Sequence, residues 1–167
     1  MMSTFAEILQ TIAHTPVRKR AITNPEVLNE AFAYAKPSSF SRGMRIDLNG
    51  LTILLISGTA SIDGNGKSVH IGDFRAQMRR TLANITGLLV SEGCTWHDVV
   101  RTTCYLRDIE RDYEAFNEER TAFYREQGLD PLPASTGIQA ILCRPELLVE
   151  IEAIAMFRTD RNAAAQE

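Results

Sequence analysis

"LVEIEAIA", Leu148 to Ala155, decides how this chain folds. Successive side chains of a strand point to opposite faces. Val149, Ile151, Ala153 and Ala155 therefore share one face, and Leu148, Glu150, Glu152 and Ile154 share the other. The first face is apolar throughout. The second sets two carboxylates in an apolar strand, where burial demands cations, donors or a solvated cleft. A sheet with helices on one face and neighbouring subunits on the other meets both demands. Glu150 and Glu152 are then ion-pair partners at that interface or the acidic groups of a cleft.

The flanking sequence supplies the rest of such a sheet. "MRIDLNGLTILLISG" reads as a hairpin, with Asn49-Gly50 filling the two positive-φ positions of a tight turn. Leu51 to Ile56 is almost wholly apolar, as in a strand buried on both faces. Phe74, Met78, Leu82, Ile85 and Leu89 recur at helical spacing, and Gly93 ends the run. "VVRTTCYLRD" alternates, with Val100, Thr102, Cys104 and Leu106 on one face and Arg101, Thr103 and Tyr105 on the other. Tyr113, Phe116, Arg120, Phe123 and Tyr124 mark a second helix that stops at Gly128, and strands follow at 135–142 and 147–157. The predicted fold is α+β: one mixed sheet with two helices on one face. Ahead of it, Phe5, Ile8, Leu9 and Ile12 have helical spacing, and "TNPEVLNEAFAYA" opens like a helix, with Asn24 as cap and Pro25 in the first turn. The predicted organisation is a helical extension over 1–36, the α+β domain over 37–160 and a disordered tail over 161–167.

Bulk properties narrow the function. The 167 residues suit one domain with a full-sized core. A net charge of −3 and a pI near 5.7 oppose a nucleic-acid partner, which needs clustered Lys and Arg. Arg18-Lys19-Arg20 reads as a solvated segment. Cys94, Cys104 and Cys143 form no CxxC pair and read as reduced thiols. No stretch is long and apolar enough for a membrane span, and the N-terminus has no signal pattern, so a cytoplasmic protein is expected.

Several motifs fail on their own terms. Gly66-Lys67-Ser68 lacks the first glycine of a phosphate loop, because Ser61 stands there. His14, His70 and His97 lack metal-ligand spacing, and no metal or other cofactor is expected.

"ISGTASID", "AQMRRTLANITGLLVSEGCTWHDVVRTTCYLRDI", "FNEERTAFYREQG", "LPAS" and "VEIEAIA" together resemble the RidA/YjgF (Rid) family over residues 38–158. The resemblance implies a fold like the trimeric bacterial type of chorismate mutase. It also implies a homotrimer with a small-molecule site, for a ligand such as a carboxylate, in each intersubunit cleft. Members with known activity hydrolyse imines and enamines without a cofactor. An arginine grips the substrate carboxylate and a glutamate on the last strand positions water. By that correspondence the glutamate is Glu150, the serine ending the second strand is Ser57, and an N-terminal aromatic is Phe40. The arginine position falls on Ser135, or on Thr136 with a shifted gap, and neither supplies a guanidinium. Arg42 and Arg144 are the local cations that could compensate.

"ISGTAS", "HIGD" and "STGI" are similar to the C-terminal half of chorismatases, which implies a bulkier cyclic or aromatic acid. Three function classes follow. The first is a cofactor-free hydrolase of deaminase type that handles standard 2-imino acids poorly, with Glu150 as base and Phe40, Ser57, Ser135 and Thr136 lining the cleft. The second is a non-catalytic metabolite-binding module. The third is a ribonuclease, the label some family members carry, which the acidic composition opposes.

Overall fold

The computed structural model describes residues 17–158. The proposed helix around Phe5–Ile12, His14 and the 161–167 tail lie outside them. A six-stranded mixed sheet carries two helices. In chain order the elements are β1 (Arg18–Ala21), β2 (Gly43–Leu48), β3 (Leu51–Ala60), α1 (Phe74–Ser91), β4 (Val99–Leu106), α2 (Ile109–Glu126), β5 (Ala134–Gln139) and β6 (Val149–Arg158). The strand order is β1-β2-β3-β6-β4-β5. All pairs are antiparallel except β4–β5, which α2 joins as a crossover.

Asn49 and Gly50 both have positive φ, as the β2–β3 turn requires. The Asp73 carboxylate caps α1 at the Ala76 amide, 2.9 Å away, and Asp108 does the same for α2 at Arg111. Both helices lie on one face. Met78, Leu82, Ile85, Leu88 and Leu89 of α1 and Phe116 of α2 meet Val149, Ile151, Ala153 and Ala155 of β6 in one buried core. Trp96 joins the layers: its Nε1 donates to Thr86 Oγ1 at 2.8 Å, and its ring meets Phe123 edge-on at 5.1 Å.

Four sequence expectations need correction. Residues 24–33 are not an α-helix. Asn24 turns the chain instead: its carbonyl accepts from Val27 and Leu28, and its side-chain amide donates to Gly87 O on α1 at 3.0 Å. Val27 then packs against Gly87, where any Cβ would collide with it, and only a 3-10 turn forms at Ala31–Ala33. Arg18-Lys19-Arg20 is solvent-exposed, as expected, and forms most of edge strand β1. Ile22, Leu28 and Ala31 are fully buried, so residues 18–36 belong to the domain itself. Over Leu51–Ile56 only Thr52, Leu54 and Ile56 are buried, and Leu51 and Leu55 on the other face are exposed. Finally, a register shift between Val99 and Arg101 buries Val99 and turns Val100 outward.

Candidate functional site

The sheet face opposite the helices carries Glu150. Across the ladders it faces Ala60 of β3 and Tyr105 of β4. A bulge in β3 between Ile56 and Thr59 brings Gly58 under the Glu150 side chain, and a Cβ at 58 would collide with its carboxylate. Glu150 borders two adjoining cavities. One, of about 280 Å³, is lined also by Gly58, Tyr105, Cys143 and Glu152. The other, of about 140 Å³, is lined also by Tyr34, Phe40, Arg42, Cys143 and Arg144.

Burial pushes the Glu150 carboxyl above the ordinary carboxylate range, and the nearby Glu152 charge adds to the rise. Among the described residues no donor or cation offsets it. Tyr105 is raised too, by burial, then by the Glu152 charge and its hydrogen bond to Glu152. A carboxyl raised in this direction is better matched to acid–base chemistry at neutral pH than an ordinary one.

The cations beside Glu150 hold the walls of the cleft. Arg42 is buried. Its Nε donates to Asn29 O at 3.0 Å, its Nη2 to the Tyr34 hydroxyl, and its guanidinium carbon lies 5.3 Å from the Phe40 ring centre. Burial lowers its pKa. Arg144 donates from Nη1 to Gly66 O at 2.5 Å and Ser68 Oγ at 3.2 Å, tying the 61–72 loop to the segment before β6. Ser57 Oγ donates to Ser41 O at 2.8 Å and does not border either cavity.

Ser135 and Thr136 point to opposite faces of β5. Thr136 pairs with Thr103 on the open face and accepts from Arg101 Nη2 at 3.0 Å. Ser135 pairs with Thr102 on the helix-bearing face, and its Oγ accepts from Thr102 Oγ1 at 3.1 Å and Arg120 Nη1 at 3.0 Å. It borders a separate cavity of about 420 Å³ with Arg120, Tyr124, Arg125, Leu129 and Leu132.

The residues expected at the site thus divide. Phe40, Arg42 and Arg144 line the smaller cavity together with Glu150. Ser57 braces the strand beside it, Thr136 lies two ladders away on the same face, and Ser135 is on the far face. Tyr105, Gly58, Tyr34 and Cys143 were not foreseen. The alternation of β4 already put Tyr105 on the open face. Tyr34 and Cys143 lie in irregular segments that carry no such periodic signal. Among the described residues no three His, Cys, Asp or Glu side chains converge as a metal would require, and no helix is long and apolar enough to cross a membrane.

A family model described as endoribonuclease L-PSP matches residues 30–157. The chain is 34% identical over 103 residues to the 3-aminoacrylate deaminase RutC of Acinetobacter baylyi, covering 62% of this chain and 78% of that protein. It is 32% identical over 102 residues to a RutC family protein of Pyrococcus horikoshii, covering 61% and 77%. Among solved structures, the YjgF gene product of E. coli superposes with a TM-score of 0.67 at 24% identity, covering 83% of this chain and 99% of that one. The Rid-family protein YyfA of Yersinia pestis gives 0.65 at 26% identity, covering 83% and 98%. The family match spans β2 to β6 and both helices, so the chain belongs to the Rid/YjgF family, the family described as endoribonuclease L-PSP.

Proposed function

We propose that the protein is a cofactor-free hydrolase of small enamine or imine acids, acting in clefts between the subunits of a homotrimer with Glu150 as the proton-handling group. One observation carries the reading: a carboxyl raised by burial, without a described hydrogen-bond donor, borders two open cavities. The deaminase name of the RutC relative supports the reaction class. In the forward direction the Glu150 carboxyl protonates the carbon of an enamine and leaves an iminium. The resulting carboxylate takes a proton from water as its oxygen bonds to the iminium carbon. The carbinolamine nitrogen then takes a proton from the Glu150 carboxyl, the C–N bond breaks to release ammonia, and the hydroxyl proton returns to Glu150 as the carbonyl forms.

The trimer is supported by the apolar residues on the open sheet face. Leu55, Ile138 and Met156 are each about 40% exposed in the single chain, on the face that holds Glu150. The family resemblance also sets the position of Ser135 and Glu150 against one ligand; because they lie on opposite faces of one sheet, two copies have to supply them. Standard 2-imino acids are poor substrates in this reading. A charge-assisted bond to a carboxylate contributes about 1.5–3 kcal/mol, so a serine or threonine in place of arginine weakens binding roughly ten- to a hundredfold.

Ammonia release from an enamine acid generated in situ, with and without protein, is the test. Glu150→Gln should lower turnover by about a hundredfold or more. Full turnover by Glu150→Gln contradicts the role. Ligand binding by the wild type with no turnover of any enamine makes it a metabolite-binding module.

A further inference from the structure

The cavity on the helix-bearing face holds positive charge that nothing described balances. Arg120 and Arg125 line it with Tyr124, Leu129, Leu132 and Ser135, and no carboxylate does. Arg120 is held by neutral groups alone. Its Nη1 donates to Ser135 Oγ at 3.0 Å, its Nη2 to Asn117 Oδ1 at 2.6 Å, and its guanidinium carbon lies 4.5 Å from the Phe116 ring centre. The ion pairs among the described residues go to Arg20, Arg45, Arg75, Arg79 and Arg111, and to neither arginine of this cavity.

A guanidinium has five N–H donors, and two are used here. The rest sit on a fork whose direction is set before any ligand arrives, which lowers the ordering cost of binding. Planar donors suit a carboxylate. Leu129, Leu132 and Tyr124 offer apolar surface for the body of the same molecule. Ser135 is short, and the Arg120 guanidinium reaches across from α2 to occupy the space beside it.

We propose that this cavity binds the carboxylate of a small organic acid with a ring-sized apolar body, anchored by Arg120 with Arg125 as a second charge. Arg120 approaches position 135 from α2, so its guanidinium suits the longer reach of a ring-sized acid and does not restore the grip of a β5 arginine on a standard 2-imino acid. The assignment deepens the hydrolase reading and rests on it for the chemistry, but binding is measured without turnover. Failure of one therefore does not carry the other with it.

The test is calorimetric titration of the full chain with benzoate and with benzamide, its uncharged isostere. Benzoate should bind at least about tenfold more tightly than benzamide. Arg120→Met should weaken benzoate by roughly ten- to a hundredfold and leave benzamide unchanged, and Arg120→Lys should recover part of the loss. Ser135→Asp, which neutralises Arg120 in place, should also abolish the preference, and it reads the same site if Arg120→Met does not fold. The proposal is overturned if benzoate binds no better than benzamide, if neither gives heat at millimolar concentration, or if folded Arg120→Met and Ser135→Asp bind benzoate like the wild type.

Discussion

The Glu150 carboxylate lies directly over Gly58, in space that any other side chain at 58 would fill. Glycine at 58, within the β3 bulge, leaves no Cβ there and opens the floor of the cleft. Gly58→Ala should push the carboxylate aside rather than the backbone, because the obstructing atoms are the end of a flexible side chain. Small misplacements of a reacting group cost up to about a hundredfold in rate, while removing a strand glycine tends to stabilise by about 0.5–1 kcal/mol. The variant should therefore lose at least about tenfold in ammonia release with an unchanged or slightly raised melting temperature. Undiminished release would show that the position of the carboxylate does not matter.

Glu150 should make the protein less stable at neutral pH. Its pKa is raised in the folded state, by burial and then by Glu152, so the folded protein binds this proton more tightly than the unfolded chain does. Above the folded pKa both states are ionised and the full penalty applies. The penalty fades as pH falls through the folded pKa and is gone below the unfolded value. Glu150→Gln should accordingly melt higher than the wild type at pH 7–8, and the difference should vanish in mild acid. Each kcal/mol reads as roughly 2–4 °C for a chain of this size. A gap that stays constant with pH would remove the titration as its cause.

Strand β1 depends on Glu92 at the end of α1. That carboxylate is almost fully buried and accepts from Arg20 Nη1 at 2.9 Å, Arg20 Nη2 at 2.7 Å and Arg45 Nη1 at 3.2 Å. Glu92→Ala leaves Arg45 half of its ion pairing and Arg20 none among the described residues. Breaking a buried pair costs about 3–5 kcal/mol, and the exposure of Arg20 lowers the expectation to roughly 1–3 kcal/mol. Denaturant unfolding should show that loss, and hydrogen exchange should rise first at residues 18–21. Unchanged exchange there would mean the β1–β2 ladder holds the strand unaided.

What the sequence made legible were features with a local period or a local signature. The two-faced strand 148–155, the Asn49-Gly50 turn and the helical stripe from Phe74 to Leu89 needed no partner to be seen, and Glu150 followed from the first of them. β1 escaped because what fixes Arg20 lies 72 residues away, at Glu92. The false helix at Asn24 arose because its capping pattern is local, whereas the bond that bends the chain goes to Gly87. Val100 was misplaced because a bulge shifts alternation by one residue without changing composition. At the site, Arg120 reads in sequence only as a helix-register residue. That it reaches Ser135 follows from how α2 crosses over to β5.

Glu150 and Ser135 lie on opposite faces of the sheet and Arg120 stands at Ser135, so in a trimer with shared clefts one ligand is held by Glu150 of one copy and by the Arg120 cavity of another. Mixed assembly tests it most directly. Glu150→Gln and Arg120→Met chains are prepared separately, then unfolded and refolded together in equal amounts, and ammonia release from the enamine acid is compared with that of each parent refolded alone. In a closed ring of shared clefts, about a quarter of the clefts in the mixture combine an intact Glu150 with an intact Arg120. Recovery to about a quarter of wild-type turnover, in particles of three times 18.6 kDa, is the predicted result. Activity no higher than the average of the two parents, in particles that do contain both chains, would contradict a site shared between copies.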